Sequence, residues 1–255
     1  MPALTSFTLT GMDAGGLAYA VLVILVAAVV RGYTGFGAAA IMVTGLSLVL
    51  PPAEVVPIAL ILEIVASVGL VPHVWRAVDW RLLWWLSAGA VLGMPLGVAM
   101  LAHLPADRMR IVISTLVLGA SLLIWFGYRF RSSPGRAGIF GTGIVSGLAN
   151  GVAAIGGLPV VLFLLSAAAG AAASRATLIV YFIFTDLYGT GVAATNGLMT
   201  RDVALRAVVF AVPLLAGVAI GNRQFLKTSP DSFRRFTLLL LMALASLGLI
   251  RGLVA

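Results

Sequence analysis

Three charged residues lie inside apolar sequence, where charge is costly, and each is a type that handles anions or protons. Arg31 ends the apolar run Val21 to Val30 and opens the stretch Arg31-Gly32-Tyr33-Thr34-Gly35-Phe36-Gly37. An arginine within a bilayer costs about 2.5–3.5 kcal/mol on insertion scales, so its presence calls for a reason. Its planar donor fork suits a trigonal or tetrahedral oxyanion. The plainer alternative is a side chain that snorkels to an interface from the end of a short helix. Gly32, Gly35 and Gly37 open backbone conformations closed to other residues. A helix restarting near Phe36 leaves its first amides unpaired and facing the break, where they carry partial positive charge. A second break, Asn150-Gly151 followed by Gly156-Gly157-Leu158-Pro159, repeats the pattern, and Pro159 suits a first helical turn. Two facing half-helix ends would form one anion cradle. Its candidate residues are Arg31, Thr34, Gly35, Phe36, Gly37, Asn150, Gly151, Gly156 and Gly157. The competing use of the glycines is close helix packing, which the four-residue spacing of Gly143, Gly147 and Gly151 suggests.

Glu63 and Asp186 each lie near the middle of a long apolar run. Burial favours the neutral form of a carboxyl group. Intramembrane carboxyls commonly serve as proton relays or ion partners. Proton coupling is therefore the functional expectation for both. The structural alternatives are a hydrogen bond to a neighbouring helix or a salt bridge, for instance with Arg31. A carboxylate beside an anion site repels the anion unless protonated, so protons and anions would move together. Arg175, within Ala173-Ser174-Arg175-Ala176-Thr177, opens the helix that carries Asp186. It is read either as a cytoplasmic-side anchor or as a vestibule charge that draws anions. The hydroxyls of Thr34, Thr177 and Thr185 could contact substrate, although hydroxyls in such helices more often bond the backbone.

The elements that must position these residues follow from composition. The chain has 255 residues, of which 62% are hydrophobic and 9% charged, with a mean hydropathy of +1.15. Soluble domains carry about 25% charged residues, so an ordinary soluble enzyme, a secreted module and a disordered chain are excluded. An all-α polytopic membrane protein remains, its partner the lipid bilayer, because continuous apolar runs can satisfy their backbone only as helices. The net charge of +8 comes from bases scattered singly between apolar runs. That pattern orients loops and does not point to nucleic acid. There is no cysteine, which removes disulfides, thiolate metal sites and cysteine nucleophiles. Residues 1–16 hold Asp13 and no Lys or Arg, so a cleaved signal peptide is not expected.

Apolar segments read as 17–30, 36–50, 53–71, 82–101, 111–127, 138–166, 176–195, 203–222 and 236–250. A span needs about 20 residues, so the first two are individually too short, while 138–166 is too long and broken inside. The irregularities recur in two halves. Gly32 matches Gly147, Glu63 matches Asp186, Gly93-x-x-x-Gly97 matches Gly217-x-x-x-Gly221, and Pro105 matches Pro230. The expectation is a duplication, 1–130 and 137–255, joined through Arg131-Ser132-Ser133-Pro134-Gly135-Arg136. Paired interrupted segments of this kind point to the binding site of a secondary transporter. The two G-x-x-x-G pairs could pack within one copy or between two, so a homodimer is one option.

Charge separates two topologies. If each interrupted stretch crosses once, Lys and Arg divide eight against seven. If each enters and returns as a re-entrant hairpin, one side holds Arg76, Arg81, Arg129, Arg131, Arg136, Arg175, Arg223, Lys227, Arg234 and Arg235. The other side holds Arg108, Arg110, Arg201, Arg206 and Arg251. Ten against five satisfies the positive-inside rule. Each half then has three full crossings, the halves are inverted, and both termini are non-cytoplasmic. Trp75, Trp80, Trp84 and Trp85 cluster at one loop as an interfacial belt. No enzyme is expected: G-x-S-x-G, Walker A and H-E-x-x-H motifs are absent, His73 and His103 lack metal-ligand spacing, and no cofactor motif occurs.

Over essentially its whole length the chain resembles the sulfite exporter TauE/SafE family, also called the toluene sulfonate uptake permease family. The resemblance rests on the two four-segment halves, on Thr34-Gly35-Phe36-Gly37, which is similar to the family's G-x-G-F-G run, and on Gly147-x-x-Asn150-Gly151-x-x-x-x-Gly156-Gly157. The chain departs from the family pattern at Leu158 and Ala38, where glycines are common. The resemblance implies secondary transport of sulfite, organosulfonates or sulfoacetate-like anions across a prokaryotic inner membrane. An anion channel and a non-transporting membrane subunit are the alternatives.

Overall fold

The structure is a computed structural model, and it describes residues 11–34, 37–69, 71–127, 135–164, 171–224 and 230–254, apart from the side chains of some residues inside the helices. Among these the chain is helical: α1 (Ala14–Thr34), α2 (Ala38–Leu46), α3 (Pro52–Val68), α4 (Val71–Val74), a 3-10 turn (Trp75–Ala77), α5 (Trp80–His103), α6 (Ala106–Trp125), α7 (Arg136–Ala153), α8 (Gly157–Leu164), α9 (Ala171–Thr195), α10 (Arg201–Gln224) and α11 (Pro230–Val254). No strand occurs among the described residues. Six helices are long and apolar enough to cross a membrane: stretches of α1, α5, α6, α9, α10 and α11.

α1 is longer than the sequence reading expects. It begins at Ala14, where the Asp13 carboxylate accepts from the Gly16 N–H at 3.3 Å and caps the first turn. It continues through Arg31 because that charge is satisfied inside the protein. Its 21 residues extend about 31 Å, enough for the hydrocarbon core. α2 and α8, of 9 and 8 residues, reach less than halfway at about 12–14 Å. The long segment 138–166 is divided, as expected, into α7 and α8.

α2 returns alongside α1. The Tyr19 hydroxyl, near the start of α1, donates to the Gly45 carbonyl near the end of α2 at 3.1 Å. A Cβ on Gly45 would lie 2.7 Å from Val23 Cγ1. The pair is a helical hairpin. Contacts at the bundle ends agree. Arg110 Nε donates to the Ser47 carbonyl at 2.8 Å, Arg206 pairs with Glu54, and Arg251 bonds the Leu48 carbonyl. The α2–α3 turn therefore shares one end with the starts of α6 and α10 and the finish of α11. At the other end, Thr177 Oγ1 accepts from the Asp79 N–H at 2.9 Å, and the Trp85 and Phe140 rings lie 6.5 Å apart. A single crossing by α1 and α2 would put Leu48 and Arg251 at opposite ends, so the hairpin is the fold. Because the chain has no native cysteine, this can be tested directly. Val49→Cys and Asn196→Cys should be labelled from the same face of intact cells by an impermeant thiol reagent, and Ala77→Cys from the other. Co-labelling of Val49→Cys with Ala77→Cys would refute the arrangement.

The long helices pair across the chain. α5 lies along α7, α1 along α10, α6 against α11 and α3 against α9. The first two contacts are backbone to backbone. Cβ atoms on Gly89, Gly93 and Gly97 would fall on the α7 main chain at Phe140, Ile144 and Leu148. Those on Gly143, Gly147 and Gly151 would fall on the α5 main chain. Gly32 meets the α10 backbone at Val218 and Gly221, while Gly217 meets Ala28 and Leu25 of α1. Both G-x-x-x-G pairs are thus used within one copy. Dispersion between close backbones replaces the hydrophobic effect that lipid does not supply.

Candidate functional site

The two breaks between helices face one another inside the bundle. Gly37 precedes α2 with φ at 89°, a left-handed conformation that suits glycine. Ala154 ends α7 with φ at 54°, where a non-glycine residue is uncommon and costs about 1–2 kcal/mol. Such strain gathers at ligand clamps and switch regions. A small cavity lies between the breaks. Arg31, Gly37, Ala39, Ala40, Glu63, Asn150, Ala154, Ile155, Gly157, Leu158, Phe182 and Asp186 line it. It is small, about 30 Å³, and partly open.

Arg31 is 4% exposed, which removes the interfacial reading. Its Nη1 pairs with Glu63 Oε2, and its Nη2 donates to Ser67 Oγ at 2.5 Å. Ser67 lies one helical turn beyond Glu63, so one face of α3 grips the guanidinium twice. Asp186 is 2% exposed, and its Oδ1 accepts from Asn150 Nδ2 at 2.9 Å. Asn150 uses its other end to accept from the Gly156 N–H at 3.1 Å, which fixes the second break to α7. Ser146, one turn before Asn150, donates to the Gly156 carbonyl at 2.5 Å and accepts from the Tyr181 hydroxyl at 2.7 Å. The second break is therefore held by side chains on both sides. Glu63 Oε1 and Asp186 Oδ2 have no hydrogen-bond partner among the described residues, and both carboxyl groups line the cavity.

The half-helix ends are unequal. At α2 the first helical bond runs from the Ile41 N–H to the Gly37 carbonyl, so the amides of Ala38, Ala39 and Ala40 have no intrahelical acceptor. At α8 the Leu158 N–H bonds the Ile155 carbonyl and Pro159 has none to offer. The better donor set for an anion belongs to α2, on Arg31's side.

Of the expected site residues, the structure gathers Arg31, Gly37, Asn150, Gly157, Glu63 and Asp186 around the cavity. Gly156 holds the break in place. Gly151 sits in the α5–α7 seam, with its Cβ direction blocked by Met94 and Val98 backbone atoms. Gly35 and Phe36 lie outside the described residues, as do the side chains of Thr34 and Arg175. Thr185 bonds the Tyr181 carbonyl of its own helix at 2.9 Å, and Thr177 serves Asp79. Glu63 and Asp186 realise the structural alternatives considered for them, a salt bridge and a hydrogen bond, and each still faces the cavity. Ser67, Ser146, Tyr181 and Phe182 are the residues that sequence reasoning missed. Ser67 was signalled only by its four-residue spacing from Glu63.

No group of three or more metal-ligating side chains occurs among the described residues. No curated protein and no solved structure matches the chain. The family model described as sulfite exporter TauE/SafE matches residues 20–247. With six helices able to cross the bilayer, the chain is a multi-pass membrane protein, its family one of transporters of small sulfur anions. From hairpin to last helix, the chain belongs to the sulfite exporter TauE/SafE family.

Proposed function

We propose that the protein is a secondary transporter that exports a small sulfur-containing anion, sulfite or an organosulfonate, by alternating access around the cavity. The observation that carries this reading is the convergence of Arg31, the start of α2, whose first amides have no intrahelical acceptor, and two buried carboxyls on one cavity. The guanidinium and amides would hold the oxyanion. Glu63 and Asp186 would carry protons, so anion and proton cross together. Outward flow is then driven by the anion's own gradient and takes protons with it.

Two repeats, 1–130 and 137–255, would be related by an inverted two-fold. The pairing of α5 with α7 and of α1 with α10 supports this, since each contact maps onto the other when the repeats are exchanged. The charge asymmetry supports both termini being non-cytoplasmic, and membership of the family supports a prokaryotic inner membrane. Arg175 would stand in the cytoplasmic vestibule.

Proteoliposomes loaded with unlabelled sulfite test the function. Saturable uptake of labelled sulfite by exchange, responsive to an imposed pH gradient, is the expected result. Flux without counterflow would mean a channel. No flux of sulfite or sulfonate from folded protein would leave a non-transporting subunit.

A further inference from the structure

Arg31 is both the strongest anion ligand of the cavity and already occupied. Glu63 Oε2 holds one nitrogen of the fork and Ser67 the other. A carboxylate and a sulfur oxyanion make the same demand on a guanidinium, two oxygens set against two N–H groups. They compete for one place.

We infer that the Glu63 carboxylate is the site's built-in competitor: in the anion-free protein it takes the guanidinium face that the transported oxyanion takes when bound, and it must swing off Arg31, accepting a proton, for the anion to enter. The inference rests on the transport reading above and assigns different tasks to the two carboxyls. Glu63 is exchanged for substrate, whereas Asp186 is tied through Asn150 to the second break and has no bond to Arg31.

The surroundings of Glu63 explain the proton. Of the elements packed on α3, α2 has no titratable side chain, and α9 offers Asp186, with Tyr181 and Tyr188 bonded to Ser146 and to the Val91 carbonyl and Arg175 near its start, its side chain outside the described residues. The charged residues of α5, α6, α7 and α10 stand near helix ends, with Arg206 pairing Glu54 at the far end of α3. Once it leaves Arg31, Glu63 therefore has no other cation to meet among the described side chains and has Asp186 for a neighbour, and a buried unpaired carboxylate is strongly disfavoured. Protonation of its oxygen ends both problems. The balance is one proton taken up for each guanidinium contact passed to the anion. Where Glu63 holds Arg31 most of the time, apparent affinity falls in proportion to the fraction of sites left free.

The test uses the full chain in proteoliposomes with sulfite as the probe, comparing wild type and Glu63→Gln over a pH series. Without the competitor, Glu63→Gln should lower the half-saturation concentration about tenfold and flatten its dependence on pH relative to wild type. Infrared difference spectra of wild-type protein on sulfite addition should gain a protonated-carboxyl band that Glu63→Gln lacks. The wild-type band needs no variant to be seen, and its assignment to Glu63 is read from Glu63→Gln shown to be folded and to bind sulfite, with Asp186→Asn, which should keep the band, as the control. Wild-type exchange with an unchanged or raised half-saturation in folded Glu63→Gln, or with no such band, overturns the inference and leaves the transport reading standing. Absence of wild-type exchange overturns both.

Discussion

Arg31→Gln should abolish sulfite exchange and also destabilise the protein, and the two losses should separate in a double variant. Two charge-assisted hydrogen bonds to an oxyanion contribute about 1.5–3 kcal/mol each. Their loss weakens binding by more than about a hundredfold. Stability falls for a different reason. Glu63 loses its partner while remaining buried, and breaking such a pair from one side costs about 3–5 kcal/mol. Arg31→Gln with Glu63→Gln replaces the ion pair by two neutral amides that can bond each other. That protein should melt near the wild-type temperature in detergent and still fail to exchange sulfite. Arg31→Lys keeps the charge without the fork and should recover only part of the exchange. Normal exchange by the double variant would show that the guanidinium is structural and that the α2 amides bind the anion alone.

The second large effect lies in the seam between α5 and α7. Gly93→Ala or Gly147→Ala places a methyl group on the opposing main chain, at the Ile144 or the Ala90 carbonyl respectively, and backbone cannot rotate aside. Overpacking typically costs about 1–3 kcal/mol, and a residue as large as leucine costs more. Gly141 lies on the same helix as Gly147 with nothing within 4 Å of its Cβ position, and Gly119 of α6 is similarly open. Gly141→Ala and Gly119→Ala should leave the melting temperature unchanged or raise it, because alanine favours the helix by about 1 kcal/mol. Differential scanning fluorimetry of the four variants measures the contrast. Equal effects at Gly141 and Gly147 would show that the seam is looser than its backbone contacts imply.

These two cases mark what was legible in the chain. Arg31, Glu63 and Asp186 stand out because charge in an apolar run has few uses, and they do meet at one cavity. Which carboxyl pairs with Arg31 could not be read, since Glu63 and Asp186 look alike in sequence and only folding brings one of them to the guanidinium. Gly37 and Gly32 belong to the same motif, yet Gly37 needs its left-handed backbone while Gly32 is needed for its missing side chain against α10. Spacing does not distinguish those uses. The Tyr181–Ser146–Gly156 chain was hidden because Ser146 sits among glycines whose four-residue spacing signals packing. The hairpin was legible from charge because arginines count sides of a membrane whatever the helices do between them. The true length of α1 was not, since glycines at its start and an arginine near its end hide a continuous helix.

The pairing of α1 with α10 has a consequence for how the protein is made. Translation delivers α1 to the membrane long before the ribosome reaches α10. At about 5–20 residues per second the delay is roughly 10–40 seconds. Arg31 does not wait that long, because Glu63 arrives with α3 and neutralises the charge early. The glycine face of α1 does wait, and so does that of α5, though α7 follows it much sooner. Assembly therefore begins with electrostatic pairing inside the first half and finishes with the late closure of α10 onto α1. Until α10 is made, the glycine face of α1 has lipid, not helix, against it.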